Sequence, residues 1–410
     1  MTTYSIGNET VIALDPRLPR LLAGVHNQKI RPLCLCRNPG IEMYVAKINS
    51  GYIIKRMPNT GKLHASMCDS YEPPPELSGL GEVESAIQES PDEGLTRLKF
   101  DFSLSKIPGR KAPAHSPHES ISVKTDGTKL TLRGVLHYLW DQAGFSRWTP
   151  AMRGKRNWHV LHKYLVQAAS GKEAKGNALT DMLYIPETFS LEHKDQIAQR
   201  RNAQMLKISA PDKGTRRLMM LIAEVKEITP GRYGHKIIMK HVPDFHFMMN
   251  EDVHDRLINK FDAELALWNA EQAAHLIIAA TFGIGPTGVA SLEEIALMVV
   301  TENWIPFEHS YDKQLIDALT NDKRSFIKGL RYNLASNRPL ACAVLSDTVS
   351  RGTALYIVPP GADGNYQNAC DELIAESDLD SWIWQAGDET MPPLPGNSAT
   401  TPFSSSPKST

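Results

Sequence analysis

Residues 34–68, CLCRNPGIEMYVAKINSGYIIKRMPNTGKLHASMC, decide the fold of the N-terminal region. The stretch begins with Cys34 and Cys36 and ends with His64 and Cys68, so it holds three of the five cysteines of the chain. Three thiolates and one imidazole can fill the closed tetrahedral shell of a structural zinc ion. We therefore predict these four residues as zinc ligands. The alternative is a set of ordinary buried or free cysteines beside a surface histidine.

A β-hairpin between the two ligand pairs is the structure that would bring them together. Residues 41–47 and 52–57 alternate in part between apolar and polar side chains, and Asn49, Ser50 and Gly51 between them are typical of a turn. A hairpin returns the chain to its starting end, so both pairs would meet there. Disulfides are disfavoured because no secretory signal is visible and cytosolic thiols stay reduced. The same reasoning predicts a cytoplasmic protein.

Composition and charge indicate a globular protein that contacts a polyanion. The 410 residues are 41% hydrophobic and 22% charged, which is typical of two or three soluble domains. Residues 1–68 hold nine Lys/Arg against three acids, and residues 129–176 hold nine against two. An acidic segment, 69–101, lies between these basic parts. The pattern favours nucleic acid as a partner, with solvated surface as the alternative. No stretch is long and apolar enough to predict a membrane partner.

The sequence predicts an α+β chain divided into five parts. These are a zinc-binding β-hairpin module (1–72), an acidic, proline-rich linker with a short strand (73–120), a basic helical, winged-helix-like domain (121–210), a mixed α/β domain (211–391) and a disordered tail (392–410).

The basic helical domain carries the predicted nucleic-acid-binding residues. An apolar stripe from Leu132 to Trp140 predicts one helix, and residues 158–169 predict a second. Basic side chains between and on these helices alternate with aromatic ones. Cations neutralise phosphates and aromatic faces stack on bases, while a helix N-terminus after residue 157 would attract a phosphate. The predicted binding residues are Arg147, Arg153, Lys155, Arg156 and Lys163.

The C-terminal part alternates predicted strands and helices. The predicted strands include 218–228, 235–242, 275–281, 295–301, 339–345, 354–358 and 381–385. The predicted helices are 251–268, 311–332 and 366–376. Cys342 and Cys370 stand in apolar surroundings and are predicted core residues.

One short pattern in this part predicts catalysis. Pro211-Asp212 is followed after eleven residues by Glu224-Val225-Lys226, which matches the PD-(D/E)xK pattern of nucleases. Asp212 and Glu224 would hold Mg²⁺, and Lys226, on the same strand face as Glu224, would support the nucleophilic water. The triplet is common on amphipathic strands, where an ion pair across the face explains it equally well.

A loose group of histidines, His235, His241, His246 and His254, is a weaker candidate for metal binding. No acid or cysteine stands at ligand spacing from them in the sequence, which argues against a metal site.

Four runs together resemble a known family. They are residues 31–74 around the cysteines, residues 132–165 of the basic domain, TENWIPFE (301–308) and DETMPPLP (388–395). This texture resembles an uncharacterised bacterial domain-of-unknown-function family associated with integrative and conjugative elements and plasmids. The resemblance implies a cytoplasmic, DNA-linked setting. It implies no established activity and assigns no catalytic residue.

The sequence thus predicts a nucleic-acid-binding protein of a bacterial mobile element, with DNA as the first expectation and a structural zinc site. One alternative is a metal-dependent nuclease of the PD-(D/E)xK type that uses Mg²⁺. Another is a protein-interaction scaffold that recruits partners in conjugation or DNA maintenance. Salt-sensitive nucleic-acid binding distinguishes the first two from the scaffold.

Overall fold

The computed structural model describes residues 2–48, 51–106, 128–209, 215–232, 234–348 and 352–397. The chain is a mixed α+β structure with several sheets. The first sheet has the order β2-β1-β3-β4-β5 and carries helix α1 against it. Its elements are β1 (Thr3–Ile6), β2 (Glu9–Ile12), α1 (Leu18–Gln28), β3 (Leu33–Cys34), β4 (Ile41–Ile48) and β5 (Gly51–Arg56).

The predicted hairpin is confirmed. Strands β4 and β5 pair antiparallel with Met43 opposite Arg56 and Val45 opposite Ile54. The sequence did not predict β1, β2 and α1, which complete a small apolar core under the hairpin. That core includes Cys34 and Cys68, so the predicted ligands lie inside the N-terminal unit.

The middle of the chain combines a four-stranded sheet, β11-β10-β7-β6, with helices. The elements are β6 (Ile87–Ser90), β7 (Leu95–Leu98), β8 (Ser105–Lys106), α2 (Leu132–Gln142), β9 (Arg147–Trp148), α3 (Trp158–Ala169), β10 (Lys172–Ala174), β11 (Asn177–Ala178), α4 (Leu179–Met182), β12 (Leu183–Tyr184) and α5 (Lys194–Met205). Helix α2 presents the predicted apolar stripe to the core, since Val135, Leu136 and Leu139 are fully buried.

The next five long strands form a sheet that closes on itself. The elements are β13 (Arg216–Arg217), β14 (Met219–Pro230), β15 (His235–Met239), β16 (Val242–Met249), α6 (Glu251–Lys260), α7 (Asp262–Ala270), β17 (His275–Ile284) and β18 (Ala290–Val300). Strand β14 pairs with β17 through its first half and with β15 through its second half. The ring continues from β15 to β16, then to β18 and β17. Only the β16–β18 pairing within the ring is parallel. Helices α6 and α7 connect β16 to β17.

A last sheet has the order β22-β21-β20-β19-β9. Its remaining elements are α8 (Ser310–Asn321), β19 (Phe326–Lys328), β20 (Ala343–Leu345), β21 (Thr353–Val358), α9 (Gly364–Ala375) and β22 (Asp380–Gln385). Cys342 and Cys370 are buried beside this sheet, as predicted. None of the helices in the part of the chain that the structure describes is both long and apolar enough to cross a membrane.

Two helices differ from their prediction. The helix predicted over 311–332 ends at Asn321, because Lys323 takes a left-handed backbone conformation (φ 54°) and the chain then enters β19. Phe326 and Leu330 continued the helical pattern in the sequence, but they belong to the core in and just after that strand. The helix predicted over 251–268 is divided at Phe261 into α6 and α7.

The predicted linker and tail also contain packed residues. Leu77, Val83 and Ala86 are buried, and residues 87–98 form the β6–β7 hairpin. Near the end of the chain, Trp382 donates a hydrogen bond from Nε1 to the carbonyl of Pro393. Residues 107–127 and 398–410 lie outside the described residues. The predicted domain boundaries stay predictions, and a single apolar cluster extends from Val83 to Ala386.

Candidate metal centre and neighbouring surfaces

Cys34, Cys36, His64 and Cys68 converge as the sequence predicted. Cys34 Sγ lies 3.6 Å from Cys68 Sγ, and His64 Nδ1 lies 3.3 Å from Cys36 Sγ and 3.7 Å from Cys68 Sγ. Ligand atoms bound to one tetrahedral zinc ion at about 2.0–2.3 Å lie roughly 3.3–3.8 Å from each other. The four side chains could therefore hold a metal ion, and the donor set is consistent with zinc.

Pairing of short strands positions the ligands. Cys34 lies in β3, between Tyr4 of β1 and Ile41 of β4. The hairpin then returns the chain, and a 3-10 turn at residues 61–63 places His64 against the sulfurs. Cys34 and His64 are fully buried, and Cys68 is nearly so. The cluster is thus an interior feature that joins the start and the end of the hairpin.

Burial controls the charge of these ligands. It raises the pKa of the Cys34 thiol to about 12 and also raises the pKa of Cys68. Burial, with Arg56 and Arg37 nearby, lowers the pKa of His64 to about 4, so its imidazole is neutral at pH 7 and can act as a ligand. The backbone N–H of Ser70 points at Cys68 Sγ from 3.4 Å. Such N–H contacts stabilise a metal-bound thiolate.

Two of the five predicted nucleic-acid-binding residues point into the structure. The Arg156 guanidinium donates to the carbonyls of Phe145 and Arg147, and burial lowers its pKa to about 10. The Arg147 guanidinium donates to the carbonyl of Tyr71, shortly after Cys68, the last of the four candidate ligands. Both arginines therefore connect loops within the fold.

The other three residues lie at the surface. Lys155 and Lys163 are exposed, and Lys163 Nζ stands 5.5 Å from the Tyr164 ring centroid. Arg153 is exposed but donates to the carbonyl of Thr320 at the end of α8. Asn157 caps α3, since its side chain accepts a hydrogen bond from the Val160 N–H. That bond satisfies one of the free N–H groups predicted to meet a phosphate.

Of the three predicted nuclease residues, the structure describes Glu224 and Lys226. Asp212 lies outside the described residues. Glu224 is 3% exposed, with its Oε1 2.5 Å from Lys240 Nζ and 2.6 Å from His275 Nδ1. Lys226 is exposed, because a β-bulge between Val225 and Glu227 interrupts the alternation that would have placed it beside Glu224.

Glu224 instead belongs to a cluster that the sequence did not predict. His275 stacks on Trp304 with ring centroids 3.9 Å apart, and His241 stacks on Trp158 at 5.1 Å. Burial raises the pKa of Glu224, but His241, His275 and Lys240 more than offset this effect and lower it to about 2. The carboxylate is thus charged and paired at all ordinary pH values. The members come from five distant segments, so no local pattern could have identified them.

A cavity of about 410 Å³ opens beside α3 and α5. Its polar lining includes His159, His162, Arg200 and Arg201. Both arginines are engaged by carboxylates, Arg200 with Glu187 and Arg201 with Asp244. The guanidinium groups therefore brace the cavity wall.

The histidine group corrects one sequence inference. The inference that no acid stands at ligand spacing was wrong, because Glu251 precedes His254 by three residues on one helix and the fold brings both beside His235. His246 is exposed and lies outside that trio, and His241 joins the Glu224 cluster.

Residues 4–387 match the family described as protein of unknown function (DUF1173). The chain belongs to this family. The match covers nearly the whole chain and confirms the resemblance to an uncharacterised family, while the association with mobile elements stays a prediction. No curated protein matches the chain. No solved structure matches it either.

Proposed function

We propose that this protein of the DUF1173 family binds single-stranded nucleic acid, DNA first, on the outer face of its closed sheet. The observation that carries the proposal is the strand order β14-β15-β16-β18-β17 and back to β14. The same order, with its one parallel pair and a helical connection after the third strand, occurs in the oligonucleotide/oligosaccharide-binding fold. That fold binds through the face of its second and third strands and through two flanking loops.

The corresponding face in this chain is formed by β15 and β16. Lys236 stands opposite Thr229 on one side and Met248 on the other, so the three side chains share one face. The flanking loops are residues 285–289, of which 286–289 are exposed, and the connection between β14 and β15, of which residues 231, 232 and 234 are described. Cations that neutralise phosphates beside partly exposed apolar side chains suit a single strand.

The N-terminal cluster is proposed to hold zinc in a structural role. Four protein ligands complete a tetrahedral shell and leave no open position for a substrate. The nearly complete burial of Cys34, His64 and Cys68 supports a structural role, since water has little access. The metal would hold the hairpin against β1 and β3.

A second contact is proposed at the exposed lysines of α3 and the loop before it, Lys155 and Lys163. These lie in the unit predicted as winged-helix-like, and they are the lysines among the predicted binding residues. The sequence resemblance implies that the protein acts in the cytoplasm, as a DNA-binding protein of a mobile element. Protein partners from the same element fit this setting.

The experiment is the affinity for a fluorescent single-stranded oligonucleotide across a series of salt concentrations. The tested variant changes three exposed or partly exposed cations to Ala: Lys226 at the bulge of β14, Arg232 in the connection from β14 to β15, and Lys236 on β15. It is compared with a variant that lacks Arg20, Lys62 and Lys99, which are exposed cations elsewhere. For single strands, each lost phosphate contact reduces the salt slope by about 0.7. We expect the sheet variant to bind at least tenfold more weakly with a slope reduced by about 2, and the control to bind like wild type. Equal binding by both variants would refute the assignment of the face.

Assays on the same purified protein distinguish the alternative functions. Nicking that requires Mg²⁺ and disappears in a folded Glu224→Gln variant would favour the nuclease. Absence of nucleic-acid binding even at low salt would favour the protein-interaction scaffold.

A further inference from the structure

His235, Glu251 and His254 form a second cluster of metal-ligating side chains, far from the cysteines in sequence. His235 begins β15 and pairs with Met249, the last residue of β16. Asn250 follows and caps α6 by accepting a hydrogen bond from Val253 N. Glu251 and His254 are three residues apart on α6, so they share one face of the helix. The fold thus brings the start of a strand against the first turn of a helix.

The ligand atoms are close enough for one ion. One nitrogen or carboxylate oxygen of each residue lies within 4.8 Å of the others, and His235 Nδ1 is 3.7 Å from Glu251 Oε2. Ligand atoms around one tetrahedral ion lie roughly 3.3 Å apart when bonds are about 2.0–2.1 Å. Rotation of the three side chains would close that difference, although the two imidazoles are only 21% and 19% exposed. Glu251 has room for this, since its side chain is 67% exposed.

Two further observations favour a ligand. His235 Nδ1 is screened from solvent and has no hydrogen-bond partner, which is costly for a polar atom unless something else fills its position. The His235 and His254 rings lie parallel with centroids 3.4 Å apart, and they would turn apart to bind one tetrahedral ion, on which imidazole centroids lie roughly 5 Å apart. Asp255 Oδ1 lies 3.7 Å from His254 Nδ1, which leaves Nε2 as the ligand atom. A carboxylate beside the other ring nitrogen is the usual support of a metal-bound histidine.

We propose that His235, Glu251 and His254 form a second site, which binds a divalent transition metal, Zn²⁺ in the first instance. Two imidazoles and one carboxylate are the donor set of open zinc and related sites, in which solvent or an external ligand completes the shell. The site differs from the cysteine cluster in having three protein ligands, oxygen in place of sulfur, and access to solvent. Its metal exchanges more readily.

A metal ion at this site would restrict the motion of the neighbouring connection between β14 and β15. The connection from β14, which ends at Pro230, leads to β15, which begins at His235. A metal bound to His235 and to two residues of α6 fixes the base of this loop. The open coordination positions also face solvent, where a phosphate oxygen could replace water.

The test is metal stoichiometry with two metals. Purified full-length protein is loaded with excess Zn²⁺, passed through a desalting column and measured by elemental analysis. We expect about two zinc ions per wild-type chain and about one in His235→Ala, His254→Ala and Glu251→Gln. The matched control is His246→Ala, which removes an exposed histidine of β16 outside the trio. This variant should keep about two zinc ions per chain.

Loading with Co²⁺ supplies an independent readout. The cysteine cluster gives intense thiolate-to-cobalt absorption, whereas the histidine site adds only weak visible bands. The trio variants are expected to keep the thiolate bands and lose the weak component, and Cys34→Ser to do the reverse. Glu251 is exposed, so Glu251→Gln remains informative if a histidine variant does not fold. About one zinc per wild-type chain, or an unchanged stoichiometry in all three trio variants, would overturn the proposal.

Discussion

At the scale of single residues, Lys172 is a buried cation whose charge opposes folding. The side chain is 3% exposed, with Nζ 5.3 Å from the Tyr138 ring centroid. Burial, with Lys55 nearby, lowers its pKa from the usual 10.5 to about 7. Between these two pH values the unfolded chain holds a proton that the folded chain has released, so the free energy of unfolding rises with pH.

Replacing this lysine should therefore stabilise the protein. We expect Lys172→Met to raise the free energy of unfolding at pH 6 by about 1–4 kcal/mol, since an apolar side chain of similar volume removes the buried charge. The gain should shrink as pH approaches 10. Urea unfolding at several pH values measures it, with the exposed Lys99→Met as control. A loss of stability at pH 6 would contradict this account.

Glu224, unlike Lys172, has a charged form that stabilises the fold. Its pKa of about 2 in the folded chain lies below the usual 4.5, so its contribution is complete above pH 4.5 and is lost as pH falls towards 2. Glu224→Gln should lower the free energy of unfolding by about 2–4 kcal/mol at pH 7, because Lys240 and His275 lose their buried partner. The difference from wild type should narrow below pH 4.5. Glu227→Gln on the same strand serves as control. A difference that is constant from pH 7 to pH 3 would be inconsistent with a paired carboxylate.

Residue types with restricted chemistry were the most predictable from the sequence. Few side chains can form a thiolate–imidazole shell, so Cys34, Cys36, His64 and Cys68 could be named from their spacing alone. The charge states of Lys172 and Glu224 could not be predicted in this way. They depend on burial and on partners such as His275, which are distant in the sequence.

At the scale of elements, two glycines should respond oppositely to alanine. Gly24 lies within α1, and a Cβ there would meet nothing within 4 Å. Gly24→Ala should raise the free energy of unfolding by about 0.5–1 kcal/mol through helix propensity. At Gly329, immediately after β19, a Cβ would stand 1.9 Å from the Ala341 carbonyl oxygen. Gly329→Ala should therefore cost about 1–3 kcal/mol, as overpacking does. Chemical unfolding measures both, and equal effects would contradict the observed packing.

The metal cluster predicts a stability linked to metal. Chelation should lower the unfolding temperature of the N-terminal sheet, and added Zn²⁺ should restore it, because binding energy becomes folding energy. The matched control is Cys68→Ser, which should start at the lower temperature and not respond to chelator. Circular dichroism after treatment with a strong chelator provides the measurement. A metal-free protein with unchanged thermal stability would rule out a structural metal.

Elements defined by strong local patterns were predictable, and elements defined by pairing were not. The hairpin β4–β5 and helix α2 carry clear periodicity, whereas β1 and β2 have four residues each. Strand β16 was missed because the turn at Lys240 and His241 contains neither Gly nor Asn, so residues 235–242 resembled one continuous strand. The closed sheet requires β16, so the sequence could not predict the closure either.

At the scale of the whole molecule, an α+β chain was predictable but its assembly was not. Alternating patterns predicted the C-terminal strands, while closure through β14 and β17 depends on contacts between distant segments. Arg147 illustrates the same limit. It was predicted to contact nucleic acid, and its guanidinium donates to the carbonyl of Tyr71 in the N-terminal unit. Local sequence shows that a residue is charged, but the surrounding fold determines what it faces.

The central claim is that the outer face of the closed sheet receives a single nucleic-acid strand. The most direct measurement is hydrogen exchange of the full chain with and without saturating oligonucleotide at low salt. We predict slower exchange in β15, β16 and residues 285–289, with no change in β21 and β22 on the far sheet. Exchange that slows only outside β15, β16 and that loop, or nowhere at all, would contradict the claim.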